Sequence, residues 1–143
     1  ELPAPQREAI KAELAQDYLK AGLYDRAEEL FSTLDSGRYQ QPALRALLEI
    51  YIREREWHRA VKTATELERV SGIPFRKEIA QFYCEMAVKS ILDQDLHTAR
   101  HELEMALDAN DVPLIRRHLK DLVPGYQPDG EVVDWVWMAQ ESK

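Results

Sequence analysis

The sequence predicts an all-α protein built by repeating one helix hairpin. A short phrase recurs three times, as GLYDRAEELF at 22–31, REWHRAVKTA at 55–64 and QDLHTARHEL at 94–103. Each copy runs from a breaker or polar turn through a bulky residue to an alanine, with a small or apolar residue four places later, and recurrence of this kind is the signature of a repeat architecture. Apolar residues otherwise fall at helical spacing, and no segment alternates with the period of a half-buried strand. Only 5 glycines and 7 prolines punctuate 143 residues, so long helices are allowed and a turn-rich β fold is not.

The elements follow in order. Residues 6–21 place Ile10, Leu14, Tyr18 and Ala21 on one helical stripe, with Pro3 and Pro5 before it and Gly22 after it. Residues 24–35 form a second helix with Ala27, Leu30, Phe31 and Leu34 on one face, stopped by DSGRYQQP. A second pair spans about 42–53 and 57–70 and is broken by SGIP at 71–74; a third spans about 76–92 and 96–108. The domain reading is one repeat fragment over 1–143: repeats at about 7–36, 40–70 and 75–109, then a partial repeat and end helix at about 111–141.

These pairs align with the tetratricopeptide pattern of W-x2-L-G-x2-Y, A-x3-F and P. With Ala27 as the central alanine, Leu14, Ala15, Tyr18 and Phe31 take their places. With Ala60, Leu47 and Tyr51 match and Ala64 replaces the aromatic. With Ala99, Met86 and Ala87 match, Ser90 replaces the tyrosine and Leu103 the aromatic. The alanine marks where two antiparallel helices cross most closely, because a larger side chain would push the axes apart. Gly22 suits the tight reversal between helices; Gln94 and Asp95 make a weaker stop in the third repeat. The predicted fold is a tetratricopeptide α-solenoid, stacked helix pairs in a right-handed superhelix, present as a partial array.

The fourth unit is short. DVPLIRRHLKDLV at 111–123 reads as the second helix of another repeat, with Ile115 in the alanine place and Leu119 four later. Ile115 lies 16 residues after Ala99, where about 34 are expected. The expectation is that roughly 18 residues of the natural chain are missing between Asn110 and Asp111, a true deletion being the alternative. GEVVDWVWMAQE at 130–141 reads as a last helix with Val132, Trp135 and Ala139 on one face and Trp137 off it.

A net charge of −7 argues against nucleic-acid binding, which needs a basic footprint. No apolar run approaches membrane-spanning length. The chain opens on ELPAPQREAI without methionine and reads as an excised piece. One cysteine, Cys84, allows no internal disulfide. His97 and His101 share a helix face at i, i+4, but a zinc site needs a third and usually a fourth ligand, so solvated histidines are the simpler account. Cys84 lies mid-helix, where cysteine behaves as a small hydrophobe rather than a nucleophile. Glu28, Glu29, Glu102 and Glu104 read as solvated helix faces. No phosphate-cradling glycine loop or G-x-S-x-G is present, so the chain is expected to be non-catalytic, with no catalytic residue, cofactor or metal in this fragment.

DYLKAGLYDRAEELF and IAQFYCEMA go beyond what the repeat pattern requires. With ALLEIYIREREWHRAV between them, they make residues 7–109 resemble the lipopolysaccharide assembly protein B family of Gram-negative bacteria; from 111 the likeness is faint. The resemblance implies an N-terminal inner-membrane anchor, a cytoplasmic repeat array and a C-terminal rubredoxin-like metal domain, of which only the array matches this chain. It also implies an adaptor at the cytoplasmic face of the inner membrane, whose partners are a membrane AAA+ protease and the deacetylase that commits precursors to lipid A.

In this fold the first helix of each pair lines the concave face. The groove-facing places are then Gln16, Lys20, Arg45, Glu49, Arg53, Gln81 and Glu85. Arg45, Glu49 and Arg53 form an i, i+4, i+8 row. One account is mutual helix stabilisation; the other is two guanidinium forks, held by the glutamate between them, offered to partner carboxylates. Two further functions fit the repeats. A chaperone adaptor clamping a C-terminal carboxylate needs lysine and asparagine where Ala9, Ala12, Gln16 and Lys20, then Pro42, Arg45, Glu49 and Arg53, stand, and the asparagines are absent. The repeat domain of an N-acetylglucosaminyltransferase would lie beside a large α/β domain. Exposed array ends, with Trp135 and Trp137 near one of them, predict self-association.

Overall fold

The computed structural model describes residues 1–110 and 112–122. Among these the fold is all-α, in the order α1 (Ala4–Lys20), α2 (Tyr24–Phe31), α3 (Gln40–Glu54), α4 (Trp57–Ser71), α5 (Arg76–Leu92), α6 (Leu96–Ala109) and α7 (Pro113–Leu122), with a 3-10 turn at Gly37–Tyr39 before α3. The chain divides into two compact units, Glu1–Phe75 and one starting at Arg76. In the first, α1 packs on α2, α3 on α4, and α2 on α3; in the second, α5 packs on α6 and α6 on α7. No helix among the described residues is long and apolar enough to cross a membrane. The helix expected at 130–141, with Trp135 and Trp137, lies outside the described residues, as does Asp111, on which the expected break after Asn110 turns.

One turn is built three times. Gly22, Arg55 and Gln94 each adopt left-handed backbone, with φ of 76°, 58° and 61°, five residues before the central alanine. The next amide bonds back into the preceding helix in each copy: Leu23 to Tyr18 O, Glu56 to Tyr51 O and Asp95 to Ser90 O, at 2.9, 2.8 and 2.9 Å. This closure satisfies carbonyls that the helix end leaves unpaired. The turn at Gln94 is therefore as complete as that at Gly22, although a side chain in this region costs about 1–2 kcal/mol. Asp95 adds a cap, accepting from the Thr98 amide at 3.1 Å.

Ala27, Ala60 and Ala99 are completely buried. Phe31, Ala64 and Leu103, one turn further on, are buried too. Leu47, Tyr51, Met86 and Ala87 are buried on the first helices of their pairs. The second unit packs around Ala80, Ala87, Leu103, Ala106, Ile115 and Leu119, so α7 seals this core with the two side chains expected to face inward. The first repeat departs from the predicted stripe. Ala15 is the buried residue of α1, while Ile10 and Leu14 are 51% and 41% exposed and Tyr18 is half-buried. α2 covers the Ala15 side of α1 and leaves the Ile10–Leu14 side open.

Candidate functional site

The α3 row faces a cleft of about 460 Å³, lined by Arg45, Leu48, Glu49, Ile52, Arg53, Leu67 and Phe75. Leu48 and Leu67 are core residues that form its floor, and Ile52 is 40% exposed on its wall. Phe75 is held at the mouth by its amide, which donates to the Glu68 carboxylate at 3.2 Å. The row does not close as a symmetric clamp. Among the described residues Glu49 pairs with Arg53 and not with Arg45, accepting from Nε and Nη2 on one oxygen at 3.1 and 2.9 Å. Arg45 instead lies 6.0 Å from the centre of the Phe75 ring, a cation–π placement. Glu49 raises the affinity of the Arg53 guanidinium for its proton, with Tyr24 adding to the effect. An exposed pair of this kind adds a few tenths of a kcal/mol to about 1 kcal/mol of stability. The cleft thus presents an apolar slot rimmed by one paired and one ring-stacked guanidinium, suited to an apolar side chain next to a carboxylate.

The other expected groove residues stand elsewhere. Gln16 and Lys20 are exposed on α1 and do not line this cleft. Gln81 is exposed and Glu85 half-buried on α5, in the second unit.

Two carboxylates expected on solvated faces are structural. Glu28 on α2 accepts the Tyr51 hydroxyl at 2.9 Å and the Arg59 guanidinium at 2.7 Å. Arg59 also lies 5.5 Å from the centre of the Tyr51 ring. Burial, and then the Glu28 hydrogen bond and charge, push the Tyr51 hydroxyl up to about 12, with Arg59 opposing them. Glu102 is buried on α6 and accepts from the Ser90 hydroxyl at 2.8 Å. Both corrections have one cause: each acid lies within one helical turn of a central alanine, Glu28 directly after Ala27 and Glu102 three residues after Ala99, on the helix face that packs rather than the face that is wetted. That adjacency was the available signal. Glu29 is exposed, and Glu104 pairs with Arg100 at 3.1 Å.

Burial, with the charge of Glu85, raises the Cys84 thiol above its ordinary value, which lowers its thiolate fraction. His97 and His101 are exposed, and no cluster of three or more His, Cys, Asp or Glu able to hold a metal occurs among the described residues. Asp95 is held below the usual carboxylate range by the Thr98 hydroxyl and amide.

No protein-family model matches the chain. Lipopolysaccharide assembly protein B of Escherichia coli (strain K12) is 41% identical over 95 residues, 66% of this chain and 24% of that protein. The protein of the same name in Haemophilus influenzae is 34% identical over 106 residues, 73% of this chain and 26% of that protein. The chain thus spans about a quarter of the length of the curated relatives it matches. Over its helical repeats, the chain is a homologue of the lipopolysaccharide assembly protein B family.

Proposed function

We propose that this chain is the partner-binding repeat region of a lipopolysaccharide assembly protein and works as a non-catalytic adaptor. It would act at the cytoplasmic face of the inner membrane, helping a membrane AAA+ protease degrade the lipid A deacetylase. The carrying observation is the cleft on α3. Its apolar floor and its Arg45 and Arg53 rim suit a protein segment that places an apolar side chain beside an acid. The names of the relatives support the pathway, and the helical repeat supports a binding role over a catalytic one. The test replaces Arg45 and Arg53 by Glu in the full-length protein and measures pull-down of the deacetylase and the protease, with circular dichroism as the fold control. Loss of either partner with helicity retained supports the cleft as its site. Unchanged capture of both rejects it.

A further inference from the structure

The α3 cleft sets a spacing as well as a charge. Arg45 and Arg53 stand eight residues apart on one helix, so their Cα atoms are roughly 12 Å apart at about 1.5 Å per residue. The apolar slot lies between them, with Leu48 and Leu67 as its floor, Ile52 on its wall and Phe75 at its mouth. Glu49 also lines the slot, midway between the arginines, and pairs with Arg53 at 2.9 Å. Arg45 lies over the Phe75 ring, 6.0 Å from its centre, and has no carboxylate partner among the described residues. A guanidinium stacked by its face keeps its N–H edge for an acceptor. The cleft therefore offers three points in a row: an unpaired cation, an apolar slot and a cation that is already paired.

Resting on the reading of this cleft as a partner site, we propose that its ligand is an extended peptide segment of the pattern acid-x-apolar-x-acid. Direction and distance together select this pattern. In an extended chain residues i, i+2 and i+4 point to one face, so two acids and the apolar residue midway between them meet the cleft together. At about 3.3 Å per residue, i and i+4 lie roughly 13 Å apart, which matches the arginines, whereas i and i+2 span roughly 7 Å and i and i+6 roughly 20 Å. A helix covering the same length is about 10 Å across and fills roughly 900 Å³. The cleft holds about 460 Å³, so a helix would ride on the rim, while an extended chain sinks one side chain to the floor between two acids. The Glu49 carboxylate repels a third acid at the middle position. Because Glu49 already neutralises Arg53 and not Arg45, the acid opposite Arg45 is the stronger determinant. The pattern reads the same from either end, so it fits the cleft in both chain directions.

Fluorescence anisotropy with the full-length protein tests this, using a labelled, C-terminally amidated peptide Gly-Ser-Glu-Ser-Phe-Ser-Glu-Ser-Gly. Moving one glutamate a single place, so that the acids stand at i and i+3 on opposite faces, should weaken binding about tenfold, and serine in place of the phenylalanine should weaken it as much. Arg45→Gln should weaken the parent peptide about tenfold and Arg53→Gln about threefold. Equal binding of the shifted-acid peptide overturns the pattern. So does tighter binding of a helical peptide with acids at i and i+8, an unchanged affinity in a folded Arg45→Gln variant, or no saturation up to about 1 mM peptide. The peptide series on the unaltered protein decides the pattern even where a variant fails to fold. Pull-down of the deacetylase and the protease fails separately. A discriminated peptide series with unchanged capture in the Arg45 and Arg53 variants rejects those partners and keeps the pattern; lost capture with an undiscriminated series rejects the pattern and keeps the site.

Discussion

Tyr51 and Ser90 hold the same place in successive repeats, yet each finds its carboxylate in a different direction. Tyr51 reaches out of its own hairpin to Glu28 on the preceding one, where Arg59 shares the charge and the glutamate keeps a quarter of its side chain in solvent. Ser90 reaches only across its own hairpin, from α5 to Glu102 on α6, which is buried. The difference is one of length. A phenol spans the gap between stacked pairs, while a serine hydroxyl reaches no further than the helix packed directly on its own. The first arrangement ties repeats to one another and the second ties a pair to itself, although the repeat pattern assigns both residues one role.

The largest expected effect comes from breaking the frame on which both arrangements rest. Ala60→Leu forces a larger side chain into a fully buried helix crossing and should cost about 3 kcal/mol; a thermal or denaturant midpoint unchanged from wild type would show that the crossing is not where the register puts it. Ser90→Ala comes next. It strips the buried Glu102 of its hydroxyl donor and should cost about 2 kcal/mol, read by denaturant unfolding.

Glu28→Gln should cost less, about 1 kcal/mol, because water and the new amide replace part of what is lost at a partly exposed site. It also has a spectroscopic readout. The Tyr51 hydroxyl titrates near 12 when folded and near 10 when unfolded. The raised value favours the neutral phenol in the folded state, so its contribution is complete below pH 10 and is lost as pH climbs toward 12. Glu28→Gln should move the Tyr51 ultraviolet titration down toward 10; no movement would mean that burial alone sets it. The smallest effect is a gain. Gln94→Gly relieves the left-handed backbone of the third turn and should stabilise by about 0.5 kcal/mol, after the entropy of the added glycine is subtracted. Gly22→Ala should lose a comparable amount, since the space at Gly22 is open and only its φ opposes a side chain.

Much of this molecule was legible beforehand. The three central alanines, the residues one turn beyond them, and helices α3 to α6 to within two residues all follow from spacing, because helical period and a small residue at a crossing are local requirements. The turn at Gln94 was underestimated, since glycine is the usual signal for left-handed backbone and hydrogen bonding can hold another residue there. In α1, Ile10 and Leu14 are apolar at helical spacing as expected, but spacing does not say which side a neighbour covers. In the α3 row, spacing placed Arg45, Glu49 and Arg53 on one stripe, while Phe75, from the turn beyond α4, drew Arg45 away from Glu49.

The sequence by itself determined the repeat, its step and its close-packed alanines, because these depend on backbone geometry and side-chain volume within one hairpin. Only the tertiary structure decided which acids are buried, which hydroxyl each one accepts, and which apolar stripe is covered. Those outcomes depend on the direction from which a second hairpin arrives, and that direction is set by the summed packing of several helices rather than by any one residue pattern.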